Sequence, residues 1–292
     1  MRSDYLFNMI NRISEFGISK IYIYFDGTKN QEDKIYQNDL ISKIEKHCES
    51  LNIILIIRRS DINLGISKSV INAADWFFLH EEYGVLLEDD LIISNEFLKF
   101  TFSARNLLEL HSEILLVSGN QFFSGEYALR WTHYPLIWGW ATTRQKWLII
   151  RKLVLDRSML RFKNFNFINF AFWVTGVLRV KWGIVDSWAI PFAARMKSLN
   201  YVSLLPSVNL VSHVGLDSQA VHATQKDLKF IVPISSEPVN VPMRDNMIHS
   251  IANIMDFKLE DFLYRVSMRN LLSPFRAFIE ITLRKCQDFV KR

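Results

Sequence analysis

The sequence predicts an α/β fold: a mostly parallel sheet with helices on both faces. Three observations carry that reading. Strand-length apolar stretches alternate with helix-length amphipathic ones from residue 3 to residue 118. One stretch, Asn52 to Ile57 (NIILII), is an apolar run after its asparagine, the pattern of a buried parallel strand. Acidic residues, Asp26 and the triplet Glu88-Asp89-Asp90, end two of the expected strands, at the sheet edge where such folds bind ligands.

The elements follow in order. Residues 3–16 read as a helix: Ser3 can cap it, Tyr5, Leu6, Met9, Ile10, Ile13 and Phe16 form one stripe, and Gly17 can end it. Lys20 to Phe25 (KIYIYF) is a strand, broken by Asp26-Gly27. Residues 36–50 give a second helix, with Ile41, Ile44, Cys48 and Leu51 at helical spacing. After the NIILII strand, Ser67 to His80 is a helix with Val70, Ala74, Phe77 and Phe78 on one face. Tyr83 to Leu87 is the strand that runs into the acidic triplet. Ser94 caps a helix to about His111, with Glu96 in the first turn, where the helix dipole favours an acid. Ile114 to Ser118 is a further strand.

Beyond residue 120 the pattern predicts aromatic and Gly-rich loops, marked by Trp131, Trp138-Gly139-Trp140, Trp147, Trp173, Trp182 and Trp188. Pro233, Pro238 and Pro242 mark a linker, followed by short amphipathic helices. The chain therefore divides into 1–120, 121–225 and 226–292, the first two being halves of one domain.

Composition narrows the class. The 292 residues are 49% hydrophobic and 13% aromatic, enough for a sizeable core and unlike a disordered chain. The net charge of +5 suits an anionic ligand or a membrane surface. It is no nucleic-acid signature, since the basic residues form no stripe with interleaved aromatics. Cys48 and Cys286 lie far apart without metal spacing, which fits a reducing, cytoplasmic setting. No stretch reads as a signal peptide or a membrane span.

The triplet carries the chemistry. Three adjacent carboxylates repel and are costly to desolvate together. A hard divalent cation, Mn²⁺ or Mg²⁺, would relieve them and would also bind substrate phosphates. A solvated acidic turn is the competing reading, and the apolar strand leading into the triplet argues against it.

At this point a resemblance enters. Glu88-Asp89-Asp90-Leu91 with Ser94-Asn95-Glu96-Phe97 resembles the D-x-D region of the N-acetylglucosaminyltransferase I family and its bacterial sugar-transferase relatives, which have the GT-A (nucleotide-diphospho-sugar transferase) fold. Arg2-Ser3-Asp4, Trp138-Gly139-Trp140-Ala141-Thr142, and Asp186-Ser187-Trp188-Ala189-Ile190 with Pro206, Asn209-Leu210-Val211, Gly215 and His222 match further segments in order, over roughly residues 1–225. The resemblance implies an inverting, metal-dependent glycosyltransferase of bacterial surface polysaccharide synthesis. It would move a sugar from a nucleotide-diphosphate sugar to a glycan or lipid-linked acceptor. Residues 1–120 would then bind the donor and 121–225 the acceptor. The GT-A domain begins with a strand ahead of the first helix, so a sheet lacking its first strand is expected here.

Residue by residue, the resemblance implies Asp90 as metal ligand and Glu88 and Asp89 as contacts of donor sugar and ribose. Asp26 would lie near the nucleoside, or be an ordinary Asp-Gly turn. Arg2 would contact the nucleotide, or be a surface charge. Asn63-Leu64-Gly65 resembles the N-x-G turn of many GT-A enzymes, where Gly65 would let an anion approach a helix N-terminus. Arg58 and Arg59 are nearby basic candidates. Asp186 stands about where a general base is needed, or caps the helix near Trp188, and Asp217 is a second candidate base. His213 and His222 would donate to phosphate or ligate the metal as neutral imidazoles, a hydrogen-bonded structural histidine being the plainer reading of His213. Trp138 and Trp140, flanking a glycine, are candidates for the acceptor site, whereas Trp147 reads as core.

The last segment, 273–292, reads as a basic amphipathic helix opening on Ser273-Pro274, either lying peripherally on an anionic membrane or packed on the domain. Two other classes stand beside the transferase reading. A nucleotidyltransferase would need a Gly-rich basic N-terminal loop, which the sequence lacks. A catalytically inactive relative would act as a binding module.

Overall fold

The computed structural model describes residues 2–123, 129–156, 158, 160, 164–214, 232–239 and 241, and positions 256, 259, 260, 262, 274, 277, 280 and 281. The side chains of Arg2 and Ser3 lie outside that description.

The first half follows the sequence periodicity. Helix α1 (Arg2–Glu15) buries Leu6, Met9 and Ile10, three members of its expected stripe. It leads to β1 (Lys20–Phe25), α2 (Gln31–Ser50), β2 (Ile54–Arg59), α3 (Ile66–His80) and β3 (Tyr83–Leu86). Helix α2 starts at Gln31, earlier than its apolar stripe indicates. Asn30 is its cap, accepting the Asp33 N–H at 2.8 Å. Ser94 caps α4 (Asn95–Ser103) as its sequence position suggests, accepting the Phe97 N–H at 3.2 Å. The expected single helix to His111 breaks at Ala104, and α5 (Arg105–Leu110) completes it.

Strands β1 and β2 pair in parallel, with Ile23 opposite Ile57. Among the described residues β2 pairs only with β1, and Ile54 is 61% exposed. The apolar NIILII run is therefore half-open, not a strand buried on both faces.

The larger sheet corrects the expectation of a mostly parallel one. Its order is β3-β7-β5-β8-β6, with β5 (Ile114–Ser118), β6 (Leu129–Thr132), β7 (Trp140–Thr143) and β8 (Val202–Pro206). Strand β7 lies between β3 and β5, antiparallel to both, and β6 runs antiparallel to β8. Only β5 and β8 pair in parallel. No helix intervenes between β5 and β6 among the described residues. Strand β6 instead takes the place beyond β8 and runs antiparallel to it. Strands of four residues, LRWT and WATT, give too short an alternation to read in advance.

Helices occupy much of the stretch expected as loops: α6 (Arg144–Leu155), α7 (Phe167–Lys181) and α8 (Ala189–Leu199). Trp147 of α6 is buried as its helical spacing indicates, stacking on Phe78 of α3 and donating its Nε1–H to Asp75 at 2.8 Å.

No ladder joins β1 to β3 among the described residues, so two sheets stand where one continuous sheet would cross. Tyr22 of β1 packs edge-on against Phe77 of α3 and donates its hydroxyl to Glu81, at the end of that helix, at 2.7 Å.

A buried polar network joins the far end of the larger sheet to positions 256 and 260. Asp256 accepts from the Thr132 hydroxyl at 2.8 Å and the His133 N–H at 2.9 Å, and lies 2.6 Å from His133 Nδ1. Glu260 accepts from Lys197, from the Tyr134 hydroxyl, and from Asn169 at 2.5 Å. Buried charges persist only when paired in this way.

No described helix is long and apolar enough to cross a membrane. The expected basic helix 273–292 lies outside the described residues apart from positions 274, 277, 280 and 281, where Arg179 pairs with Glu280 at 3.1 Å.

Candidate metal and ligand site

The acidic triplet occupies the turn between β3 and β4 (Leu91–Ile93), at the carboxyl end of β3. A second short strand builds the site around it. β9 (Val211–His213) pairs antiparallel with β4, setting His213 opposite Leu91. The Val214 N–H donates to the Asp90 carbonyl at 2.9 Å, and the Ser94 N–H to the Leu210 carbonyl at 2.9 Å. This ribbon is what holds the imidazole beside the carboxylate.

Ligand atoms of Glu88, Asp90 and His213 all lie within 4.8 Å of one another. His213 Nε2 is 3.3 Å from Asp90 Oδ1. Both side chains are mostly enclosed; that contact is not a well-aligned hydrogen bond, and His213 Nδ1 has no hydrogen-bond partner among the described residues. An enclosed polar atom left unpaired costs about 1–3 kcal/mol. Desolvation, then the like charges of Asp90 and Asp89, push the Glu88 carboxyl up to about 7, although the residue keeps one side open to solvent. Crowded carboxylates beside an imidazole nitrogen with no hydrogen bond are what a bound cation would relieve. Two carboxylates and an imidazole fit Mn²⁺ better than Mg²⁺, which favours oxygen ligands throughout. Asp89 is exposed in the turn, outside this trio.

The Trp138-Gly139-Trp140 segment splits its two indoles. Gly139 adopts φ +67°, a left-handed conformation open to glycine at little cost. Trp138 before it is half-buried, its ring centroid 5.0 Å from that of His213. Trp140 after it opens β7 and packs in the core between Trp147 and Trp188, 3% exposed. Of the two proposed acceptor-site tryptophans, Trp138 alone borders the cluster; Trp140 is core.

Trp138 also lines a cavity of about 230 Å³, together with Asn120 and Phe122, which follow β5, and apolar side chains of the 135–137 segment, α7 and α8. Sequence reading gave Trp138 as an acceptor-site candidate but missed the cavity, because its walls come from four segments far apart in the chain.

Asp26, Gly65 and Asp186 come together elsewhere, at the start of α3. Asp26 accepts from the N–H groups of Gly27 at 2.9 Å, Leu64 at 2.9 Å and Gly65 at 3.1 Å. The Asp186 carboxylate accepts the Ser67 N–H at 3.2 Å and lies against Gly65, 2.6 Å from where a Cβ would stand. The two carboxylates thus take the helix N-terminal donors that were expected to face an external anion. Asp186 does cap a helix, but α3 and not the one it precedes: among its described partners, α8 has Ser187, which accepts the Ile190 N–H at 3.3 Å.

Arg59 ends β2 and donates to Gln37 at 2.9 Å, and Arg58 sits beside it at the exposed end of that strand. Arg2 is the first residue of α1, its side chain undescribed, and Asp217 and His222 lie outside the described residues. No protein-family model matches the chain, and no curated protein matches its sequence.

Proposed function

We propose that the protein is a divalent-metal-dependent glycosyltransferase of GT-A type, moving a sugar from a nucleotide-diphosphate donor to a glycan or lipid-linked acceptor. The observation that carries this reading is the Glu88–Asp90–His213 trio just past the carboxyl end of β3, with the enclosed His213 Nδ1 lacking a hydrogen-bond partner among the described residues. Asp90 and His213 would hold Mn²⁺, with Glu88 beside them. When bound, the ion neutralises charge on a departing diphosphate. In the transfer, the acceptor hydroxyl oxygen bonds to the anomeric carbon. The bond from that carbon to the diphosphate oxygen breaks and its electron pair leaves with the diphosphate, while the hydroxyl proton passes to a carboxylate base. Asp186 is the described candidate for that base and Asp217 the other.

A binding module without catalysis is the second reading. It is favoured by one observation, the engagement of Asp186 with the start of α3. Release of nucleotide diphosphate from a panel of nucleotide sugars with Mn²⁺ separates the two. The transferase reading expects release that EDTA abolishes and Asp90→Ala lowers at least about 100-fold, equivalent to roughly 2.7 kcal/mol of barrier. Donor binding without release by the native chain supports the module, and absence of both refutes the transferase.

A further inference from the structure

The cavity behind Trp138 differs in chemistry from a sugar subsite. Phe122, Leu136, Ile137, Trp138, Trp173 and Ile190 supply its walls, and Asn120 is the one described lining residue with a polar side chain outside the indoles. Asn120 is itself 2% exposed and already engaged, its Oδ1 accepting from the Ser118 hydroxyl at 2.9 Å. A sugar carries a hydroxyl on nearly every carbon, and each would lose its water here with few partners to replace it. A hydrocarbon chain loses nothing of the kind and gains from every methylene buried.

Size and position add to this. At about 230 Å³ the cavity is below the roughly 300–1,000 Å³ of pockets that enclose a whole small molecule. It suits a part of a ligand, about eight water-sized groups at roughly 30 Å³ each. Trp138 lines the cavity and its ring also lies 5.0 Å from that of His213. Through Trp138 the cavity neighbours His213 of the trio, which puts a polar end within reach of it.

We propose that this cavity receives the hydrocarbon tail of an amphiphilic glycan acceptor, its sugar head lying at the metal trio. The inference rests on the transferase reading and names the acceptor class within it. Ala189, half-buried at the start of α8, lines the cavity, so a larger side chain there fills it without removing core atoms.

The test is calorimetric titration of the whole protein with alkyl β-glucosides from methyl to octyl, below their micellar concentrations, with Mn²⁺ present and Mn²⁺ binding measured on the same sample. Affinity is expected to rise about threefold to fourfold per added methylene until the cavity is filled. Ala189→Leu is expected to weaken octyl glucoside at least tenfold and leave Mn²⁺ binding unchanged. An affinity independent of chain length overturns the proposal on the native chain alone, without any variant, and so does an Ala189→Leu protein that binds octyl glucoside as tightly. Retained Mn²⁺ binding in either case leaves the transferase reading standing. A steep chain-length series without Mn²⁺ binding overturns the acceptor role.

Discussion

At the scale of single residues, what a side chain does depends on how far its partner is in sequence. Ser94 caps the helix it precedes, and its position next to Asn95-Glu96-Phe97 announces that. Asp26 bonds Leu64 and Gly65, and Asp186 bonds Ser67, partners 38, 39 and 119 residues away. Nothing local specifies such pairings. Gly27 is held in the same way: a Cβ there would stand 2.1 Å from the Ile62 carbonyl carbon. Gly27→Ala must displace backbone, and is expected to cost about 1–3 kcal/mol or more in urea unfolding. The trio itself was half legible. The triplet gave Glu88 and Asp90, and His213 stood as either a ligand or a structural histidine; what brings it to Asp90 is the β4–β9 ribbon, whose two strands of three residues each are too short to read.

At the scale of elements, the first half of the chain was readable because its helices carry one apolar stripe and its strands are four to six residues long. The second half was not. Helix α7, FINFAFWVTGVLRVK, is apolar nearly all round and shows no single stripe. Strands β6 and β7 are four residues each and run against the parallel frame. Helix α3 supplies the test that belongs at this scale. Gly65 at its N-cap offers no side chain, and Asp186 takes over from across the chain. Asp186→Ala is expected to lower stability by about 1 kcal/mol, while Asp186→Asn, which keeps an accepting oxygen, costs a few tenths. Nucleotide-sugar turnover by Asp186→Asn then isolates the carboxylate's chemistry. A fall of about 100-fold or more in a variant of near-native stability marks a base. Unchanged turnover marks a cap.

At the scale of the whole molecule, two polar assemblies sit in different parts of the fold and behave oppositely. The Asp256–Glu260–Lys197 network is satisfied by its own partners. Burial alone raises the Asp256 carboxyl, but the His133 hydrogen bond and charge and the Lys197 charge outweigh it and hold the group below its ordinary 3.8. A carboxyl lowered on folding stabilises the protein above its unfolded value and loses that contribution as pH falls through the folded one. Asp256→Asn is therefore expected to be less stable than the native chain near neutral pH, and the gap to narrow below about pH 4, read from thermal melts across that range. The Glu88–Asp90–His213 trio, by contrast, leaves the enclosed His213 Nδ1 without a hydrogen-bond partner among the described residues and crowds two carboxylates together, and that demand is the core of the functional reading. The most direct measurement is thermal unfolding with and without Mn²⁺, on the native chain, Asp90→Ala and His213→Ala. At Mn²⁺ about 100-fold above its dissociation constant, binding to the folded state adds roughly 2.7 kcal/mol and raises the melting temperature by several degrees. The shift is expected in the native protein and absent from both variants; no shift in the native protein, or an equal shift in all three, contradicts the account.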